Sequence, residues 1–116
     1  MLTGAMLGLM EQLGMDIITL TEGLSEGEFF ASRLARAQTL QRLNSMTKTV
    51  ADLPSEVRQR MPEIDWDAWD TLASILPKNA HHPLQIWVAV QELTPLTMQR
   101  LKGYQKQQPK LFSIVP

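Results

Sequence analysis

Apolar residues recur at helical spacing along most of this chain. Nowhere do they alternate over a useful length in the way a half-buried strand requires. In residues 2–21, Leu2, Met6, Leu9, Met10, Leu13, Ile17 and Leu20 fall on one stripe. A period near 3.6 places such residues on one side of a helix, which must then bury that side against another element. Met6, Leu13 and Leu20 are spaced by sevens, which suits a long antiparallel neighbour. Gly4, Gly8 and Gly14 interrupt the stripe, each weakening a helix by up to ~1 kcal/mol relative to alanine. They either permit a close helix contact or are simply tolerated.

Capping residues and prolines divide the rest of the chain. Residues 21–32 read as a linker, with Ser25-Glu-Gly-Glu28 as a short capped turn and Phe29-Phe30 as a plug for the core. Ser32 suits the N-cap of a second long helix over 33–52, with Leu40, Leu43, Met46 and Val50 inward. Leu53-Pro54 ends it. Pro54 opens a short helix, 54–61, in which Glu56 near the start and Arg58 and Arg60 near the end complement the helix dipole.

Pro62 closes that helix, and Asp65 can cap a fourth over 66–76 carrying Trp66, Trp69, Leu72 and Leu76. Residues 77–83 form a loop with Lys78, Asn79, His81 and His82. The last helix spans 84–106, lined by Trp87, Val90, Leu93, Thr97, Leu101 and Tyr104. Pro95 should kink or split it, with Thr94 capping the second half. The expected fold class is all-α: a four- to five-helix bundle over 1–106 with two long antiparallel helices and a Pro-kinked C-terminal helix. A tail, 107–116, is either disordered or docked as an extended strap, with Leu111 to Val115 as its apolar part.

Composition narrows the function classes. With 116 residues the chain fits one domain with a single core. It has no cysteine, which excludes disulfides, a thiol nucleophile and Cys-ligated metal. The net charge of -1 lacks the basic footprint of a duplex-DNA binder. The apolar start has no Lys or Arg before it, and Glu11 and Asp16 interrupt it, so it does not read as a signal segment. No segment reaches the ~18 uninterrupted apolar residues of a membrane span. The expectation is a soluble, cytoplasmic protein with no membrane partner.

Few motifs carry chemistry. There is no glycine-rich phosphate loop. His81 and His82 are adjacent, whereas ligands on one helix face need a spacing of three or four, so neither a metal nor a cofactor is expected. Glu63, Asp65, Asp67 and Asp70 form an acidic cluster. Acid/base work needs carboxylates with split pKa values, and here a cap and a solvated helix face account for them better. Trp66, Trp69 and Trp87 could stack bases, but tryptophans at helical spacing beside leucines more often belong to a core or a dimer interface. Arg33, Arg36, Arg42 and Lys48 lie on the second helix, and Arg36 falls between Leu40 and Leu43 inside the apolar arc.

Several of these runs, in this order, resemble HepT-like proteins of the HEPN superfamily (higher eukaryotes and prokaryotes nucleotide-binding). They are Asp16-Ile-Ile-Thr-Leu-Thr-Glu-Gly-Leu-Ser-Glu-Gly-Glu-Phe-Phe30, Arg42-Leu43, Leu53-Pro54-x-Glu56-Val57-Arg58, Pro62-Glu63-Ile64-Asp65-Trp66, Ile86-Trp87 and Leu93-x-Pro95-Leu96. The likeness covers roughly residues 12–105. It implies a helical bundle, usually a homodimer, with active members that are metal-independent ribonucleases. It also implies a toxin–antitoxin setting with a nucleotidyltransferase as partner. Active members carry Arg-Asn, then His, then Tyr after the tryptophan. Their His would move protons while the RNA 2′-hydroxyl attacks phosphate, and their Arg would stabilise the developing charge.

Counting from Trp66, the Arg-Asn positions fall on Ala73-Ser74, the His position near Lys78 and the Tyr position near Ala80. The nearest remnant is Lys78-Asn79-Ala80-His81-His82. Lysine can supply charge there but not a bidentate fork on phosphate. The resemblance therefore implies a degenerate ribonuclease that works as a dimeric binding module. The alternative is a divergent RNA-cleaving enzyme using Lys78 with His81 or His82. Candidate RNA- or partner-binding residues are Arg36, Lys78, Asn79, His81 and His82, and Trp66, Trp69 and Trp87 are candidate structural or interface residues.

Overall fold

A computed structural model describes residues 2–113, and among these there is no strand. The chain is all-α. α1 spans Thr3–Thr21, α2 Glu26–Ala31, α3 Arg33–Asp52, α4 Ser55–Gln59, α5 Trp66–Ile75, α6 Pro83–Val88 and α7 Thr94–Gln107. α1 and α3 run antiparallel. Met6 lies by Thr49, Leu13 by Ser45, and Asp16 pairs with Arg42 at 3.8 Å. α5 packs on α3, and α7 packs on α1.

The sequence explains most boundaries. Gly23, at φ 77°, makes the turn that leaves α1. α2 starts with a full capping box: the Ser25 hydroxyl accepts from the Glu28 amide at 3.1 Å, and the Glu28 carboxylate accepts from the Ser25 amide at 3.0 Å. What reads as a capped turn in the sequence is thus a short helix. Ser32 caps α3 by accepting from the Ala35 amide, and Asp65 caps α5 by accepting from the Ala68 amide.

The buried face of α1 is rotated relative to the stripe read from the sequence. Leu7, Met10, Gly14 and Ile17 are buried, while Leu2 and Leu9 are exposed. The reason is tertiary. α1 is covered by α3 on one side and by α7 and the C-terminal segment on the other, so its buried arc is set by two neighbours. A Cβ on Gly14 would overlap the Met98 side chain of α7, which makes this glycine a close-crossing point.

The C-terminal helix differs most from expectation. Instead of a kink with a capped second half, α6 passes through a π-helical stretch, Ala89–Leu93, into α7. Pro95 has no N–H to give to the preceding turn, and its ring would clash with a regular ladder. The wider turn absorbs both problems. Thr94 is helical rather than a cap, and its buried hydroxyl donates to the Ala89 carbonyl at 2.8 Å. The extra residue shifts the inward face from Ile86, Ala89 and Val90 to Thr94, Thr97, Met98, Leu101 and Tyr104.

Beyond α7 the chain forms a single 3-10 turn, Pro109–Phe112, packed on α1 with Leu111 and Phe112 against the core. It docks, but as a turn rather than an extended strap. Ile114 and Val115 lie outside the described residues. The backbone at Phe112 and Ser113 crosses α1 where only glycine fits, because a Cβ on Gly4 would run into the Ser113 carbonyl. Gly4→Val should release this turn despite valine's better helix propensity. Trypsin cleavage after Lys110 should then accelerate several-fold while far-ultraviolet circular dichroism stays helical. An unchanged cleavage rate would show that the turn is not held by this contact.

Candidate functional site

Two recesses flank α6, and α5 is the platform for one of them. α5 is positioned by Arg58 of α4. The Arg58 guanidinium donates to both Asp70 oxygens, at 2.7 and 3.1 Å, and to the Val50 carbonyl at the end of α3, at 2.8 Å. It also lies 5.7 Å from the Trp66 ring centroid, within cation–π range. The Trp66 indole N–H in turn donates to the Met61 and Arg58 carbonyls, at 3.0 and 3.1 Å. Trp69 is wholly buried, and its indole N–H donates to the Thr97 hydroxyl of α7 at 3.0 Å. Neither Trp66 nor Trp69 offers a face for stacking a base. Trp87 is half-buried against Phe29 and Phe30, at ring-centroid distances of 5.4 and 6.5 Å.

The first recess is an apolar groove of about 370 Å³ between α5 and α6. Ala68, Leu72 and Ile75 form one wall, and Leu84, Val88 and Leu93 the other. No ionisable side chain lines it. Leu84 is 61% exposed and Val88 41%, so the groove opens onto an apolar surface. Ala73 and Ser74, where the resemblance would require Arg and Asn, are both exposed on α5.

The second recess, of about 420 Å³, lies on the other side of α6. It is lined by Phe30, Arg36, Leu40, Asn79, Ala80, Pro83 and Ile86. Arg36 and Asn79, far apart in sequence, come together here. Lys78, His81 and His82 do not line it. Lys78 and His81 are exposed and His82 is half-buried, on a 3-10 turn, Leu76–His81, that is broken at Lys78 by a non-helical backbone. Most of the loop expected over 77–83 is therefore helical turn, with His82 at its end and Pro83 opening α6.

The acidic residues do different jobs. Asp70 pairs with Arg58, Asp65 caps α5, and Asp67 is exposed. The Glu28 carboxyl is held below the ordinary glutamate range by its hydrogen bonds from the Ser25 backbone and side chain. It lies in a cap and serves α2. Among the described residues, no three His, Cys, Asp or Glu side chains gather as metal ligands, and no helix is long and apolar enough to cross a membrane. The chain matches no known family, no curated protein and no solved structure in comparison with each.

The sequence pointed to Arg36 through its place inside the apolar arc of α3. It gave no signal for Ala80, Pro83 or Ile86 beside it, nor for the groove. Arg58 read as a dipole-complementing charge, and its role as a clamp depends on Asp70 and Val50 arriving from other elements. Arg58→Ala should lower stability by about 1–3 kcal/mol. Most of this comes from the half-buried carbonyl bond, because Asp70 is 47% exposed and its ion pair is screened. Arg58→Lys should recover less than half, since an ammonium cannot span Asp70 and Val50 as a fork does. Urea denaturation of the three proteins measures both effects.

Proposed function

We propose that this chain is a HEPN-type helical module that acts by binding rather than by catalysis. It assembles as a homodimer across the groove between α5 and α6. The groove is the observation that carries this reading. Leu84 and Val88 are exposed on one wall of the groove, facing Leu72 and Ile75 on the other. A two-fold axis beside α6 would place the Leu84 of each copy in the groove of the other, burying both exposed leucines with one operation. No ionisable side chain has to be desolvated in the groove, and removing exposed apolar surface favours association.

In the setting that the resemblance implies, the dimer would hold a nucleotidyltransferase as partner. Two features support binding over RNA cleavage. Ala73 and Ser74 stand on α5 where a catalytic Arg-Asn pair would be needed, and Lys78, His81 and His82 line neither recess beside α6.

Analytical ultracentrifugation should show a dimer at micromolar concentration. Leu84→Asp with Val88→Asp should give a monomer with an unchanged circular dichroism spectrum, because both side chains are already exposed. A wild-type protein that stays monomeric would overturn the dimer. Metal-independent RNA cleavage that disappears in a His81→Ala, His82→Ala variant would overturn the non-catalytic reading and establish the divergent ribonuclease.

A further inference from the structure

Arg36 is a half-buried cation with no ion-pair partner among the described residues. It is half-buried beside Leu40 and Phe30. Among the described residues its side chain makes one hydrogen bond, from Nη1 to the Phe30 carbonyl. The ion pairs among the described residues are Arg42 with Asp16 and Arg58 with Asp70, so no carboxylate neutralises Arg36. A guanidinium carries several N–H donors in a planar fork, and most of those on Arg36 have no protein acceptor among the described residues. A guanidinium partly withdrawn from water and lacking a counter-charge has donors free for an anion that reaches it.

The surroundings indicate what could supply that charge. Asn79 lines the same recess, and its Nδ2 donates to the Leu76 carbonyl at 2.9 Å. This bond fixes the amide and leaves its second N–H for another acceptor. No acidic side chain lines the recess. Arg33 lies one turn before Arg36 on the same face of α3, and Lys78 and His82 adjoin the lining residues Asn79 and Pro83 in the chain. The remaining walls, Phe30, Leu40, Pro83 and Ile86, are apolar. The volume of about 420 Å³ falls within the usual range for small-molecule sites.

We propose that this recess is a binding site for a small organic anion. An oxyanion group, carboxylate or phosphate, would accept from the Arg36 fork and the Asn79 amide, while an apolar body packs on Phe30, Leu40 and Pro83. The Phe30 carbonyl holds the guanidinium in place beforehand, so less side-chain freedom is lost on binding. The site lies across α6 from the groove and does not depend on self-association.

The test is an amide-resolved NMR titration of the full chain with four probes: phenyl phosphate, benzoate, inorganic phosphate and neutral benzyl alcohol. Phenyl phosphate or benzoate should shift the amides of Phe30, Arg36, Asn79, Ala80 and Ile86 saturably, and whichever binds tighter identifies the oxyanion. Inorganic phosphate should bind more weakly than phenyl phosphate, because it lacks the apolar body. Arg36→Lys should weaken binding by about tenfold through loss of the fork, and Arg36→Gln should abolish it.

Ala80→Trp, an exposed position at the mouth, should block the recess without touching Arg36 or its carbonyl bond. It provides the decisive variant should Arg36→Gln perturb the fold. Saturable shifts lost in Ala80→Trp and weakened in Arg36→Lys support the site. Absence of saturable shifts at these amides overturns it. So does equal binding of benzyl alcohol, or binding that survives Ala80→Trp.

Discussion

The arrangement of the bundle around α5 depends on the Arg58 guanidinium. Three elements meet at this one planar group: the last turn of α3 through the Val50 carbonyl, α4 through its own backbone, and α5 through Asp70. Trp66 lies under it and ties the same loop together from below through Met61. A lone ion pair as exposed as Asp70 would contribute little. Its value here is geometric, because the fork fixes the angle at which α5 leaves the α4 turn. That angle carries Trp69 into the core, where its indole N–H finds Thr97, and turns Leu72 and Ile75 toward α6.

A second constraint acts from the other end. Pro95 cannot sit in a regular helix without losing a hydrogen bond and meeting a carbonyl. The π-helical stretch from Ala89 to Leu93 accommodates it without breaking the helix, and the buried Thr94 hydroxyl occupies the Ala89 carbonyl. The inserted residue rotates α6 relative to α7. The α7 side can then keep Thr97, Leu101 and Tyr104 on the core while α6 presents Leu84 and Val88 outward. The groove draws Ala89 and Leu93 from this stretch, and the Arg36 recess lies on the other side of α6.

The two recesses differ in chemistry in a way that matches their walls. One is apolar, open and without ionisable groups. The other holds an unpaired guanidinium and a fixed amide beside a phenyl ring. Neither brings histidines and cations together as acid, base and charge stabiliser. Lys78 and His81 stand exposed on the 3-10 turn from Leu76 to His81, His82 follows at its end, and none of the three lines either recess.

Much of the fold was legible because helices are local. The 3.6-residue period, the Ser32 and Asp65 caps and the proline stops specify α3 to α5 without reference to distant residues, and the Ser25 cap marks where α2 starts. Arg36 stood out by its angle alone. What the sequence could not decide was each contact between residues far apart in the chain. These include the rotation of α1 toward Leu7, the docking of Ser113 at Gly4, the meeting of Arg36 with Asn79, and the grip of Arg58 on Val50 and Asp70. Such contacts depend on how several helices pack at once, and the spacing along any one helix leaves that packing open. The sequence by itself therefore determined an all-α chain and the starts of its capped helices α3 and α5. Only the tertiary structure decided which side chains share a recess, because close packing selects one mutual orientation among the many that each amphipathic helix allows.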